Sequence, residues 1–350
     1  MPIMKRTVVV IHPGGLGDVL LAVPAMVRLR TRFPYHQLVL CAEEHVSKVL
    51  LACRIIDVWT SVHGRACADL FAGTGSVTGQ VRTWVDDCDL AICWAQDLDG
   101  QLNDTLKAIG VREVIVKSPF SPAIQASHQH ARFLETINEA PSDDEGAVLL
   151  MIPESLLRLG RACLEAVGLS FGQPLVVIHP GSGSAHKCVA PEILASVVMA
   201  LEATGATPVI LEGPADREPV ERLLHSCVNP PTVLRGLDLL TVAGVLAQAR
   251  LFVGQDSGVT HMAGLIGVRS MALFGPTDPI RWAPRGSHVT VMQGVPCHCR
   301  SWGEVSRCKE KPCLEIQKDH LVAHCLASLK EAVVGERIPN HCLVTDYPVC

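Results

Sequence analysis

The chain has 350 residues, 48% hydrophobic and 19% charged, with a formal net charge of −5. This length favours two domains, the apolar share excludes a disordered chain, and the mild negative charge argues against a nucleic-acid binder, which presents a basic face. No apolar run reaches the roughly 18 residues of a membrane span, and only Thr7–Ile11 separates Lys5-Arg6 from His12-Pro13, too short for a signal-peptide core, so the chain reads as cytoplasmic. In chain order, Thr7–Ile11 predicts a strand and Gly17–Arg32 a helix. Gln37–Cys41 and Glu43–Cys53 repeat that pair, and Asp89–Cys93 and Glu113–Val116 add two strands. Glu154–Val167 predicts a helix. Then come strand Leu175–Ile178, helix Pro191–Ala203, strand Thr207–Leu211, helices Asp216–Cys227 and Asp238–Gln248, strand Leu251–Val253, helix Gly258–Ile266 and strand Ser270–Phe274. Strands alternating with helices of this length imply βαβ units and an α/β fold with parallel sheets.

One internal similarity divides the chain. Val9-Val10-Ile11-His12-Pro13-Gly14-Gly15 recurs as Val176-Val177-Ile178-His179-Pro180-Gly181-Ser182. Each copy is an apolar strand running into a Gly-rich turn and a helix, the first βα unit of a Rossmann-like sheet. Two Rossmann-like domains are expected, over 1–152 and 171–316. Residues 153–170 form a linker, and 317–350 a C-terminal helix and tail. A ligand belongs in the cleft between them, at the carboxyl ends of the strands.

Three segments carry candidate chemistry. In Pro13-Gly14-Gly15-Leu16-Gly17-Asp18, Gly15 and Gly17 allow close backbone approach before a helix start with free N–H groups. A dinucleotide fingerprint with Glu43 or Glu44 as the ribose acid stays open, but Leu20 stands where its third glycine belongs. Asp18 is either a first-turn carboxylate favoured by the helix dipole or a general base facing the cleft. Ser182, Gly183 and Lys187, in Gly181-Ser182-Gly183-Ser184-Ala185-His186-Lys187, suit a phosphate loop, although a lone Lys is usually solvated. In Val253-Gly254-Gln255-Asp256-Ser257-Gly258-Val259-Thr260-His261, a strand ends in a small-residue turn and an open helix start. That is an anion site for a diphosphate, and Ser257 also serves as an ordinary N-cap. Asp97-Leu98-Asp99 has the spelling of a metal motif but follows an apolar run and reads as a loop.

These segments, with Gly275-Pro276-Thr277-Asp278-Pro279 and Arg281-Trp282-Ala283-Pro284, resemble family 9 glycosyltransferases, the heptosyltransferases of lipopolysaccharide core assembly. The resemblance spreads over about residues 7–334. It implies a GT-B fold, an ADP-heptose donor held by the second domain, an acceptor held by the first, inversion at the transferred sugar, and no cofactor or metal in catalysis. The acceptor it implies is a lipopolysaccharide-core sugar or another glycan, glycolipid or protein, reached peripherally at the inner membrane. Carried over by motif, Asp18 is the catalytic aspartate and Gly15 and Gly17 belong to the acceptor-side loop. Lys187 contacts the donor phosphates, with Ser182 and Gly183 lining their loop. Asp256 holds the donor sugar, and Ser257, Gly258 and Val259 cradle the diphosphate, with Thr260 and His261 extending that turn. Glu212 falls at the nucleoside-binding strand end. One departure stands out: relatives follow the lysine with a Trp-Pro stretch, whereas here Lys187-Cys188-Val189-Ala190-Pro191 lacks the aromatic. Three rival classes remain: a nucleotide-sugar epimerase acting on donor alone, a non-catalytic nucleotide-sugar sensor, and an NAD-dependent oxidoreductase.

Of the fifteen cysteines, those in apolar runs (Cys41, Cys53, Cys88, Cys93, Cys163) read as small core hydrophobes of a reducing compartment. Cys297, Cys299, Cys308 and Cys313 cluster in a polar stretch and suit either a structural zinc or iron or a set of thiols, their spacing not being a standard pair of C-x₂-C motifs. His128 and His130 precede a helix at Ala131–Ile137 and read as cap or surface residues. Arg65 and Gly73–Gly79 suggest an acceptor-side loop.

Overall fold

The apolar runs become parallel strands buried on both faces, as central strands of an α/β sheet must be; none of Val8–Ile11 is more than 1% exposed. The computed structural model describes residues 6–73, 83–118, 127–140, 150–169 and 172–334. Its first sheet holds β1 (Thr7–Ile11), β2 (Gln37–Ala42), β3 (Val58–Ser61), β4 (Cys88–Cys93) and β5 (Glu113–Val116), in the order β3-β2-β1-β4-β5. Its second holds β6 (Leu175–His179), β7 (Thr207–Glu212), β8 (Thr232–Arg235), β9 (Leu251–Gln255), β10 (Ser270–Phe274) and β11 (Val289–Gln293), in the order β11-β10-β9-β6-β7-β8. All pairings are parallel; Val9, for example, lies between Val39 and Ala91. Each order turns back at its first strand, so the turns leaving β1 and β6 open into the crevice where such sheets bind ligands. Two Rossmann-like sheets with covering helices make the expected GT-B architecture.

Three strands were not anticipated: β3, β8 and β11. All lie at sheet edges and are partly exposed, so they lack the continuous apolar run that marks a central strand. The helix expected over Gly17–Arg32 is two helices, Leu16–Leu21 and Val23–Arg32, broken at Ala22. Pro24 has no N–H for the carbonyl four residues back, and Ala22 N–H bonds Val19 O in a tighter turn. Helices Arg65–Phe71 and Gln101–Ala108 were also missed. The latter is capped by Asp97, whose carboxylate accepts the N–H groups of Leu102 (3.1 Å) and Asn103 (3.0 Å); that is what the Asp-Leu-Asp loop does. The Gly-rich stretch beyond Gly73 and the tail beyond residue 334 lie outside the described residues.

One apolar core runs from the first sheet into the second. Val10, Leu20 and Met26 share it with Val177, Phe252 and Met262. Helix Glu154–Ala166, the expected linker, packs on helix Leu239–Leu246, and the two cross at Gly160 and Gly244 with no room for a side chain. A Cβ on Gly160 would stand 2.2 Å from the Gly244 carbonyl carbon, and one on Gly244 2.1 Å from Leu156 O. Gly→Ala in an exposed helix stabilises by about 1 kcal/mol. Gly160→Ala should instead destabilise by about 1–3 kcal/mol through overpacking, read as a lower denaturation midpoint; a raised midpoint would show that the crossing is loose.

Candidate active site

The repeated strand ends build the site from both sides. β1 runs into His12, whose buried ring lies 5.7 Å from Trp94 and 5.3 Å from Phe133 between centroids. His12 Nδ1 accepts the Gly14 N–H at 3.0 Å, which folds the turn back on itself. A Cβ on Gly14 would sit 2.6 Å from His12 Cε1 and 2.9 Å from Asp18 Cβ, so this turn needs glycine. Gly15 is the N-cap of helix Leu16–Leu21, and Asp18 lies in its first turn. Burial pushes the Asp18 carboxyl above the usual carboxylate range and nearby Asp256 adds to that push, while a Gly15 backbone hydrogen bond and the Lys187 charge oppose it.

From the second sheet, β9 ends at Gln255 and Ser257 caps helix Gly258–Ile266, its Oγ accepting the Thr260 N–H at 3.4 Å. Behind this cap runs a buried relay that the sequence reading missed. His179 Nε2 lies 2.8 Å from Asp216 Oδ2, and His179 Nδ1 lies 3.2 Å from Ser257 Oγ. Asp216 also accepts the Gly213 N–H at 2.9 Å. Burial disfavours its charge, but the His179 contact and the Gly213 bond prevail and hold its pKa below the usual range. A Cβ on Gly181 would collide with Asp216 Oδ1, 1.8 Å away. The one available signal was the repeated His at the end of both β1 and β6.

Lys187 ends a short 3-10 turn, Ala185–Lys187, capped by Ser184. Its Nζ stands 2.8 Å from Asp256 Oδ2. The contact is electrostatic, because its angle leaves Oδ2 without a well-aligned hydrogen bond. The ammonium also lies 5.5 Å from the Trp302 ring centroid.

These groups meet in one cavity of about 730 Å³. Gly17, Asp18, Gly183, Lys187, Asp256, Ser257, Gly258 and His261 line it, as expected of a site between the halves. Other expected site residues do not. Ser182 Oγ donates to the Asp256 carbonyl, and Thr260 Oγ1 to that of Gln255, so both brace the loop. Glu212 is tied to Arg235 Nε at 2.8 Å beyond the cavity. Gly15 and Val259 also lie off its wall. Unanticipated members are Thr277, Asp278, Arg281, Arg300 and Trp302. Thr277 Oγ1 is buried without a partner, as a group awaiting a ligand would be. A second cavity of about 740 Å³ follows β5 and the turn after β4; Lys117 and the start of helix Gln101–Ala108 line it, but no residue of the second half does.

His128 is a cap, as expected, its Nδ1 accepting the His130 N–H at 3.3 Å, but it also ties the two halves. Its Nε2 donates to Ala283 O at 2.9 Å, and beside it Arg281 Nε donates to Gln129 Oε1 at 3.2 Å. Cys297, Cys299, Cys308 and Cys313 are free and adjacent. Partial burial and neighbouring thiols push Cys313 up to about 11, with Cys297 and Cys308 acting in the same way on Cys299. Among the described residues no group of three or more His, Cys, Asp or Glu is arranged to hold a metal. Cys163, read as core, is only half-buried. Among the described residues no helix is long and apolar enough to cross a membrane.

Residues 144–311 match the family model Glycosyltransferase family 9 (heptosyltransferase). The chain is 35% identical over 136 residues to lipopolysaccharide heptosyltransferase 3 of Escherichia coli, a match covering 38% of this chain and 39% of that protein. The match thus spans about two fifths of the curated relative. Among solved structures, the glycosyl transferase family 9 protein from Veillonella parvula superposes with a TM-score of 0.76 at 19% identity, over 94% of this chain and 98% of that one. The E. coli ADP-heptose lps heptosyltransferase II superposes with a TM-score of 0.73 at 15% identity, over 94% and 100%. At these identities the superpositions establish the fold.

Four histidines near the junction are held neutral. Burial lowers His12 and His128 from 6.5 to about 4 and His130 to about 3, with His128 and Arg285 charge adding to the last; burial lowers His261 as well. The unfolded chain therefore binds more protons below pH 6.5, and stability falls as pH drops from about 6.5 towards 4. Urea midpoints at pH 7 and pH 5 should show this loss, and His12→Gln should reduce it; equal midpoints would contradict it.

Proposed function

We propose that this chain, whose residues 144–311 match the glycosyltransferase family 9 model, is an inverting transferase of that family moving heptose from ADP-heptose to a hydroxyl of a lipopolysaccharide-core sugar or a similar glycan, glycolipid or protein. The observation that carries this reading is the shared cavity: Asp18 arrives from the first half, while Lys187, Asp256 and the Gly258 helix start arrive from the second. An inverting transfer needs a base on one face of the sugar and positive charge on the other. Asp18 takes the proton of the acceptor hydroxyl. The oxygen attacks the anomeric carbon as its bond to the diphosphate breaks, and ADP leaves with the electron pair. Lys187 and the helix-start N–H groups meet the charge developing on the diphosphate, a role otherwise filled by a divalent cation. Asp256 orients the donor sugar, and Lys187 exchanges part of its contact with Asp256 for the phosphate oxygens. Asp18 sits at a helix N-terminus that stabilises its anion, while burial raises its proton affinity, which suits a base. No membrane-spanning helix is required, because a lipid-linked acceptor can be met from the cytoplasmic face. The domain limits 1–152 and 171–316 go with this reading.

Asp18→Asn should lower turnover by roughly 10²–10⁴-fold and leave ADP affinity within a few fold, whereas Lys187→Ala should weaken ADP binding and rate together. Calorimetry with ADP, UDP, GDP and NAD⁺ in metal-free buffer, followed by an assay with ADP-heptose, tests the reading. Near-normal turnover of Asp18→Asn removes the base, and binding of NAD⁺ alone removes the transferase. Because the active carboxylate is the ionised form, kcat/KM should fall on acidification through a pKa above the ordinary aspartate range.

A further inference from the structure

We infer that Trp302 is the platform on which the sugar of the nucleotide-sugar donor rests, a specificity-determining contact supplied by the cysteine-clustered segment. The inference rests on the donor site proposed above and adds a residue to it. Trp302 lines the cavity together with Lys187 and Asp256, and its indole, 53% exposed, faces that open space with the Lys187 ammonium 5.5 Å from its centroid. A half-exposed indole in a ligand cavity, with the cation that meets the diphosphate 5.5 Å over its ring, offers its remaining exposed surface to a partner with an apolar face and polar rim. A pyranose is such a partner. Lys187 itself stands 2.8 Å from Asp256, so the ammonium lies between the indole's cavity wall and the carboxylate that line the same space.

The segment is built to hold the ring there. Ser301 caps helix Trp302–Arg307 by accepting the Glu304 N–H, and Glu304 accepts the Arg300 N–H at 2.8 Å in return. These two bonds, one to the cap and one to the residue before it, hold the helix start in place, and Trp302 is its first residue. Both ends of the loop are sewn to one another: Gly294 N–H donates to Cys313 O at 3.0 Å and Val295 N–H to Pro312 O at 3.1 Å. A Cβ on Gly294 would stand 2.3 Å from Pro312 O. Lys311 Nζ then reaches the phosphate loop, 3.0 Å from His186 Nδ1. Two contacts, Lys311–His186 and Trp302–Lys187, thus fasten the segment over the lysine loop. That loop continues Lys187-Cys188-Val189-Ala190-Pro191 with no aromatic of its own, so the ring beside Lys187 comes from a distant part of the chain.

The test compares ADP with ADP-heptose. In Trp302→Ala the dissociation constant for ADP-heptose should rise roughly tenfold, the scale of one desolvated aromatic contact, while that for ADP stays within twofold. Trp302→Phe should recover most of the loss, and unchanged thermal midpoints for both variants show that the fold is intact. Equal weakening of ADP and ADP-heptose would assign Trp302 to holding Lys187 and overturn the platform. Unchanged affinity for both ligands would also overturn it. If the unaltered protein binds neither ligand, the donor reading falls and the platform with it, an outcome distinct from normal binding by the unaltered protein with no effect of the substitution.

Discussion

Everything at the site depends on two helix starts meeting head to head. Gly17, in the first turn of Leu16–Leu21, faces Gly258, the first residue of Gly258–Ile266. A Cβ on Gly258 would stand 2.6 Å from Leu16 Cγ, and one on Gly17 3.2 Å from His261 Cδ2. Glycine at both positions lets the backbones approach. The approach also brings together two positive dipole ends, each equivalent to roughly half a charge. Asp18 and Asp256 supply the local negative charge, and Lys187 returns some positive charge to the same space. The arrangement suits a ligand that brings its own negative charge.

Around this meeting point the polar groups are held in fixed states. Asp216, His179 and Ser257 form a chain of contacts from the interior to the cavity wall, and Gly181 and Gly213 make room for the carboxylate and bond it. His12, His128, His130 and His261 are kept neutral by burial. Neutral imidazoles add no charge beside the two dipole ends, so the balance among Asp18, Asp256 and Lys187 is undisturbed at neutral pH. The apolar core that continues from Val10 to Phe252 and the His128–Ala283 bond hold the halves in the orientation this balance needs.

The cysteines divide by environment. Cys41, Cys53, Cys88 and Cys93 are buried hydrophobes, and burial is the largest influence raising the thiol pKa at Cys53, Cys88 and Cys93. Cys297, Cys299, Cys308 and Cys313 gather at the base of a loop whose outer part, Arg300 to Val305, forms one wall of the cavity. Cys299 itself lines that cavity.

Much of the fold was legible in the amino-acid order. Central strands are buried on both faces, so β1, β4, β6 and β10 appear as uninterrupted apolar runs, and the Ile-His-Pro-Gly repeat marks both sheet switch points. Edge strands β3, β8 and β11 were not legible because polar residues such as Thr60, Arg235 and Thr290 interrupt their short apolar runs, whereas edge strand β5 keeps Val114-Ile115-Val116 intact. At the site, Asp18, Lys187, Asp256 and Ser257 announced themselves through local chemistry: a carboxylate in a first turn, a lysine in a small-residue loop, a cap at a helix start. Glu212, expected at the nucleoside-binding strand end, lies at the end of β7 and pairs with Arg235 on the neighbouring strand. What only the tertiary structure decided are the contacts between distant segments: Asp216 with His179, Arg281 with Gln129, and Trp302 with Lys187. Sequence by itself determines which groups exist and what local backbone they favour. Which of them share a cavity is set by how two sheets and their helices pack, a long-range outcome that no local pattern encodes.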